Sequence, residues 1–298
     1  MNRHQVLAGG VALTIAIGAM AQVGTFPASQ PMTTISSVVV VNGLVKSAAK
    51  TAAPVTKPKA IIAAAAVAPG LTQDTLPPLD LTDMKLWNWA GVWHASEWEN
   101  WQSSIPWRYN HVSQPTKTDA YFSLDEGGAP ELQAQGGTLA HDKGIWEADV
   151  TVPTLRDGMV VAPLWLYDSS SKDEIDFEFA GRKGLDVSMH VYVNGFHKQS
   201  TIRLLAGKDM SGQRLRFGIK VDEASGYVEM YLNGVRVYSW NSSGMSYFVS
   251  HPLKPVISMW AARPTDTDNV SWLGKWAGIK SGESVKLIVH GYRYSPLR

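Results

Sequence analysis

Residues 173–179 (Asp-Glu-Ile-Asp-Phe-Glu-Phe) alternate between acidic and apolar side chains, and this run most constrains how the chain can fold. Alternation of period two is typical of a β-strand, because successive side chains on a strand point to opposite faces. One face would carry isoleucine and phenylalanine; the other would carry Glu174, Asp176 and Glu178. Like charges about 7 Å apart on one face repel each other. The pattern therefore favours an acid/base site, with a solvated strand face or a hard-cation site as alternatives.

Further strand patterns fill the chain after residue 85. Alternating or continuously apolar runs lie at 145–150, 159–167, 186–193, 214–221, 227–232, 255–261 and 285–294. Asn233-Gly234 follows one run directly and favours a type I′ hairpin turn into the next strand at 235–240. No helical periodicity exceeds two turns. Many short strands with turns rich in Gly, Asn and Pro predict an all-β two-sheet sandwich or jelly roll.

Composition excludes several classes of function. The 298 residues carry a net charge of +1 and 18% charged residues, so no overall field favours nucleic acid or a membrane surface. Cysteine is absent, which excludes disulfides, thiolate metal sites and a cysteine nucleophile. Twelve Trp and ten Tyr suit the flat faces of sugar rings, although Trp is also ordinary core material.

The first eighty residues predict export and a spacer. Arg3, an apolar run at 6–18 and Ala19-Met20-Ala21 form the pattern of a signal peptide over residues 1–21, with a retained anchor as the alternative. Residues 22–80 are poor in large side chains and predict a flexible spacer. The folded domain is then 81–298. We expect a secreted or periplasmic monomer with no stable membrane association after cleavage of the signal.

The acidic run Glu174-x-Asp176-x-Glu178 resembles the motif of the family 16 glycoside hydrolases, and residues 173–181 are most similar to the licheninase and xyloglucan endotransglycosylase branch. The resemblance covers about residues 85–298. The other matching segments, in the order of the family, are Gly144–Glu147, Val191–Gly195, Tyr231–Val235, Ser258–Trp260 and Ser271–Gly274. The resemblance implies a jelly-roll sandwich of two antiparallel sheets with a concave substrate cleft.

The resemblance also implies roles for the three acids. Glu174 would be the nucleophile and Glu178 the general acid/base of a retaining mechanism, which needs two carboxyl groups about 5–5.5 Å apart. Asp176 lies between them, where it can orient Glu174 and raise the proton affinity of Glu178.

Several aromatic and polar residues are implied to bind substrate. Trp165 and Trp260 match sugar-stacking aromatics of the family, with core packing as the alternative for each. Trp98 belongs to a tryptophan-rich stretch that could form the distal wall, and Tyr192 lies in a matching segment. His190 would hydrogen-bond the sugar or Glu178, or else serve as a structural histidine.

Departures from the family pattern concern the substrate side. Lys172 stands where licheninases carry Trp, so it would either meet an anionic group of an acidic glycan or offset the repulsion among the carboxylates. Asp149 and Ser258 replace an Arg and an Asn. Many members bind calcium through an Asp in the last strand, but His290 stands there, so we predict no metal and no cofactor.

The sequence therefore predicts a secreted retaining endo-β-glycanase that hydrolyses a β-linked polysaccharide, with a bacterial exopolysaccharide as one setting. Polysaccharide is the expected partner, and nucleic acid is not. Two alternatives remain open on the same fold, a transglycosylase and a non-catalytic, lectin-like binding protein. The intact set of three acids favours an enzyme over a lectin, because a binding protein has no need of three aligned carboxyls.

Overall fold

Strands dominate the computed structural model, which describes residues 71, 74–86, 92–135 and 139–297. The strands are β1 (Lys85–Leu86), β2 (Trp93–Ala95), β3 (Val112–Ser113), β4 (Ala120–Leu124), β5 (Glu131–Ala134), β6 (Lys143–Thr151), β7 (Met159–Tyr167), β8 (Glu174–Ala180), β9 (Leu185–Val193), β10 (Phe196–Leu204), β11 (Arg214–Asp222), β12 (Tyr227–Leu232), β13 (Val235–Asn241), β14 (Lys254–Ala261) and β15 (Val285–Ser295). The α-helix of the described residues, α1, spans Thr267–Leu273. Short 3₁₀ turns cover Tyr109–His111 and Ser242–Gly244. None of the helices in these ranges could cross a membrane.

The strands form two sheets. One has eight strands in the order β1-β2-β5-β14-β7-β8-β9-β10, and the other has seven in the order β13-β12-β11-β6-β15-β4-β3. Neighbours pair antiparallel except β1 and β2, which are parallel. The predicted jelly-roll sandwich is confirmed.

The apolar face of β8 builds the core between the sheets. Phe177 and Phe179 are fully buried and pack edge-on against Phe217 of β11, with ring centroids 5.1 and 6.2 Å apart. Because side chains alternate along a strand, this packing turns the acidic residues of β8 to the outer face of the eight-stranded sheet.

The hairpin between β12 and β13 forms where the sequence predicts it. Asn233 has φ +51° and Gly234 has φ +76°, and two consecutive positive φ values define a type I′ turn. This turn matches the twist of the flanking strands, so it sets their pairing at the sheet edge.

Part of the predicted spacer belongs to the folded domain. Leu76 and Leu79 are 3% and 1% exposed. The carboxylate of Asp74 pairs with Arg293 of β15 at 2.7 Å. The domain therefore includes residues before 81, because a few leucines in an otherwise small-residue stretch suffice to anchor it.

Gly291 allows this N-terminal segment to cross β15. A Cβ atom at this position would lie 2.7 Å from Leu76 Cβ and 3.0 Å from the carbonyl oxygens of Leu76 and Pro77. The backbone of β15 is irregular here, with a register shift between Val289 and Gly291 against β6. A glycine is needed because the two backbones touch.

Candidate active site

The acidic side chains of β8 line the outer face of the eight-stranded sheet. Glu174 is 9% exposed and Asp176 is 1% exposed, while Glu178 is intermediate. In the register of the sheet, Glu174 pairs with Tyr167 and His190, on β7 and β9. The three carboxyls thus lie at the centre of a polar and aromatic surface.

A first cavity opens over Glu174 and Glu178. Its walls carry five tryptophans, Trp98, Trp101, Trp107, Trp165 and Trp260. Glu131 and Ser258 also line it. Flat indole faces beside two carboxyls are the surface that a sugar ring can stack on while its glycosidic bond meets an acid.

A second cavity lies on the other side of Glu178, which lines both. Asp186 is fixed there by two hydrogen bonds from Arg203 (Nε to Oδ1 2.6 Å, Nη2 to Oδ2 2.7 Å) and one from Trp272 Nε1 at 2.7 Å. Ser188, His190 and Thr201 also line this cavity, together with residues of α1. The lining is polar and held in place, as a site for sugar hydroxyls requires.

Burial and mutual repulsion favour the protonated forms of the three carboxyls. Desolvation raises the pKa of Glu174 well above its usual value, and the charge of Asp176 adds to the effect. Desolvation likewise raises the pKa of Asp176 and of Glu178, each reinforced by a neighbouring acid of the group. Carboxyls whose pKa values are raised in this way can hold and release protons closer to neutral pH, as acid/base chemistry requires.

His190 connects Asp176 to a second histidine. Its Nε2 lies 3.1 Å from Asp176 Oδ2, although that oxygen has no hydrogen-bond partner in the described part of the chain. Its Nδ1 lies 3.0 Å from Nε2 of His197 on β10. His190 Nδ1 is therefore engaged with His197, while Nε2 faces the acids of β8.

Two buried polar atoms beside the acids have no partner among the described residues. They are Nε1 of Trp165 and the hydroxyl of Tyr167. Buried donors are normally satisfied, so both are suited to hydrogen-bond a bound ligand.

A fourth carboxyl, Glu131 on β5, was missed by the sequence analysis. It is 1% exposed and accepts hydrogen bonds from Ser96 Oγ at 2.5 Å and Gln133 Nε2 at 2.8 Å. Burial raises its pKa. The four-residue strand β5 is placed in the sheet by its pairing with β2 and β14, and no local sequence signal predicts these pairings.

The predicted substrate-binding residues fall into three groups. Trp98, Trp165 and Trp260 line the first cavity, and His190 lines the second. Lys172 and Tyr192 line neither cavity. Tyr192 instead packs against the His197 ring, with centroids 5.2 Å apart.

Lys172 does not continue the alternation of β8. The strand begins at Glu174, and Lys172 has φ +68°, so the strand period does not set the direction of its side chain. Its Nζ lies 6.0 Å from the centroid of the Tyr167 ring. Tyr167 pairs with Glu174 across β7 and β8, so the role of Lys172 beside the acids stays a prediction.

Glu174, Asp176 and His190 offer ligand atoms that lie within 4.8 Å of one another. Their donor types suit a cation, but the raised pKa values of both carboxyls oppose the deprotonated forms that a metal ligand needs. We assign no metal to this group. His290, at the expected calcium position, is held by Asp119 at 2.8 Å and Thr151 at 2.7 Å.

The chain belongs to the glycosyl hydrolases family 16, whose family model matches residues 100–278. Members of this family are glycoside hydrolases or transglycosylases that act on polysaccharides. The comparison with curated proteins gave no match.

Several solved structures share the fold. A β-glucanase of Bacillus licheniformis is 18% identical with a TM-score of 0.55, covering 70% of this chain and 94% of its own. A prokaryotic lichenase from a mouse hindgut metagenome is 17% identical with a TM-score of 0.56, covering 75% and 98%. A family 16 enzyme of Bacteroides ovatus, in complex with a G4G4G3G product, is 15% identical with a TM-score of 0.56, covering 68% and 94%. At these identities the likeness is one of fold.

Proposed function

We propose that this protein is a secreted, retaining endo-β-glycanase that hydrolyses a β-linked polysaccharide. The observation that carries the proposal is the placement of Glu174 and Glu178 on one strand face beneath a tryptophan-walled cavity. A non-catalytic binding protein would have no use for buried carboxyls whose pKa values are raised by one another. Export rests on residues 1–21, which lie outside the described residues, and the monomeric state rests on the sequence alone.

In the first step, ionised Glu174 attacks the anomeric carbon and Glu178 donates its proton to the leaving oxygen. Glu178 starts protonated because burial and the charge of Glu174 raise its pKa. The sugar behind the broken bond stays in the first cavity, and the leaving chain departs through the second. Glu178 is suited to protonate the leaving oxygen between the two sites because its side chain lines both cavities.

In the second step, Glu178 is ionised and takes a proton from an incoming water, which releases the sugar from Glu174. The proton returns to Glu178 and the nucleophile becomes a carboxylate again. Asp176 lies beside Glu174, where a hydrogen bond between the two carboxyls would keep the nucleophile oriented.

The mechanism predicts retention of the β configuration at the new reducing end. Glu174 and Glu178 share one strand face, and a retaining mechanism works with two carboxyls about 5–5.5 Å apart, without the intervening water that inversion would require. Proton NMR of the first products should show the β-anomer before mutarotation. Initial appearance of the α-anomer would mean that the carboxyls act at a wider separation.

The substrate is proposed to be neutral. The residues that line the two cavities include six acidic side chains and one basic side chain, Arg203, which is already paired with Asp186. An anionic sugar would meet repulsion here. Mixed-linkage β-glucan is the first substrate to test, because proteins of this fold are named for it.

Lys172→Met should therefore leave charge selectivity unchanged. We expect the same ratio of cleavage rates on a β-glucan and on its carboxymethylated form before and after the substitution, since Lys172 lines neither cavity. The measurement is initial rate on both polymers at low salt. A selective loss on the carboxymethylated polymer would restore the hypothesis of an acidic glycan that the sequence suggested.

A transglycosylase is the second candidate, and the second cavity favours it. Ser188, Thr201 and the fixed Asp186 could hold an acceptor sugar whose hydroxyl replaces water in the second step. Mass spectrometry of products at high concentrations of an acceptor oligosaccharide separates the two functions. Longer products would show transfer, and only shortened chains would show hydrolysis.

The proposed function as a whole is tested by a screen of β-glucans, galactans and acidic exopolysaccharides, with products identified by mass spectrometry. Internal cleavage products from at least one polymer are expected. Binding without any cleavage or transfer would instead assign the chain to the lectin-like alternative.

A further inference from the structure

Glu131 is a buried carboxyl that the proposed mechanism does not use. It is 1% exposed and lines the first cavity together with Glu174 and Glu178. Burial raises its pKa, which means that the folded protein disfavours the ionised form of this side chain. A carboxyl that is kept at such a cost beside a cavity is a candidate for contact with the ligand of that cavity.

The protein binds one of the two oxygens of this carboxyl. Oε1 accepts hydrogen bonds from Ser96 Oγ at 2.5 Å and from Gln133 Nε2 at 2.8 Å. Within the described ranges of the chain, neither of these hydrogen bonds reaches Oε2. A carboxylate offers about four acceptor positions, two on each oxygen, so Oε2 of Glu131 is able to accept hydrogen bonds from a ligand.

A buried lysine fixes the orientation of the group that holds Glu131. Lys254 is 4% exposed, and its Nζ donates a hydrogen bond to Gln133 Oε1 at 3.0 Å. Because Nζ can only donate, the amide of Gln133 must present its Nε2 to Glu131. Gln133 and Ser96 together hold the carboxyl in place before any ligand arrives, and such preorganisation favours selective binding.

Glu131 lies on the side of the three acids that is opposite to the second cavity. β14 and β7 separate β5 from β8, whereas the second cavity is lined from β9 and β10. Three strand spacings put the backbones of β5 and β8 roughly 14 Å apart. Glu131 is therefore placed beside the part of the sugar chain that stays bound to Glu174, away from the bond that breaks.

We propose that Glu131 is a specificity-determining residue whose Oε2 hydrogen-bonds a hydroxyl of the neutral sugar chain in the first cavity. A sugar hydroxyl can donate to the carboxylate, and it can accept from the carboxylic acid. A chain that lacks this hydroxyl would leave a buried carboxyl oxygen without a partner, so the site would select against it. The inference rests on the proposed function, which supplies the sugar chain.

The test is a double-mutant cycle between Glu131 and the hydroxyls of the ligand. Calorimetry measures the Kd of a mixed-linkage β-gluco-tetrasaccharide and of its monodeoxy derivatives in the full-length Glu174→Gln protein, which prevents turnover. We expect at least one derivative to bind about tenfold to a hundredfold more weakly than the parent. Glu131→Met in the same background should bind the parent and this derivative equally, because the partner of the hydroxyl is gone.

Two control variants separate recognition of the sugar from a structural role. Glu131→Gln keeps an acceptor for Ser96 and Gln133 and offers an N–H to the hydroxyl, so it should retain most of the discrimination. Gln133→Met breaks the same network but keeps the carboxyl, and Gln133 lines neither cavity. It should lower the melting temperature and still discriminate.

A purely structural Glu131 would give another result. Glu131→Met would then lower the melting temperature, while its discrimination against every derivative stayed as in the parent protein. That result, or a tetrasaccharide that does not bind, would overturn the proposal.

Failure of the proposed function would look different. A wild-type protein that binds the tetrasaccharide but neither cleaves nor transfers any polysaccharide would contradict that function, and the cycle would still decide the role of Glu131. Binding is measured without turnover, so the two failures are distinguishable.

Discussion

Glu174→Gln and Glu178→Gln should each lose most of the turnover while the fold remains intact. Removal of a nucleophile or of a positioned acid costs orders of magnitude in rate, roughly a hundredfold to ten-thousandfold for the acid. Asp176→Asn should reduce the rate less, because the amide can still donate a hydrogen bond to Glu174. Initial rates of the three variants on one polysaccharide give the comparison. Near-normal activity of Glu174→Gln would contradict its assignment as nucleophile.

Stability provides the control for these variants. The pKa of Glu174 in the folded protein is raised above its usual value of 4.5. Above about that pH, Glu174 therefore binds a proton more strongly in the folded state than in the unfolded state. Stability should therefore fall as pH rises from there toward the raised pKa. Glu174→Gln removes the ionisation, and we expect an equal or higher melting temperature at neutral pH with a weaker dependence on pH.

Removal of the N-terminal segment should destabilise the domain, and the outcome should depend on where the truncation ends. A chain that begins at residue 81 lacks Leu76, Leu79 and the pair between Asp74 and Arg293. Burial of a leucine contributes about 1.5–3 kcal/mol, so the loss of two should lower the melting temperature on the order of 10 °C.

A chain that begins at residue 71 is the matched control. It keeps these contacts and lacks only the stretch that is poor in large side chains, so its melting temperature should equal that of the chain without the signal peptide. Both chains should keep kcat. Asp74 contacts Arg216 and Arg293 on the face of the seven-stranded sheet turned away from the core, far from the acids of β8. Equal melting temperatures for the two chains would contradict the role of residues 74–80.

The sequence predicts the strands well where the signal is local. The alternation over β8 places Phe177 against the core and Asp176 outside, and Asn233-Gly234 forms the expected turn. Each of these features depends on neighbours in sequence, so the period and the turn chemistry decide them.

What the sequence misses depends on pairing across distance. Glu131 reaches the first cavity because β5 pairs with β14, some 120 residues later. The contact of His190 with His197 needs the register of β9 against β10, which alternation on one strand does not give. For Lys172, a positive φ before the strand ends the alternation, so the sequence period does not set the direction of its side chain.

The most direct test of the central claim is identification of the residue that carries the sugar. The wild-type protein is treated with an activated 2-deoxy-2-fluoro β-oligosaccharide of a cleaved polymer, in which the fluorine slows release of the intermediate. Peptide mass spectrometry then locates the modification. The mechanism predicts a glycosyl ester on Glu174 and none in the Glu174→Gln variant. An ester on Glu178, or complete turnover with inversion and no covalent sugar, would contradict the assignment of Glu174 as nucleophile and Glu178 as acid.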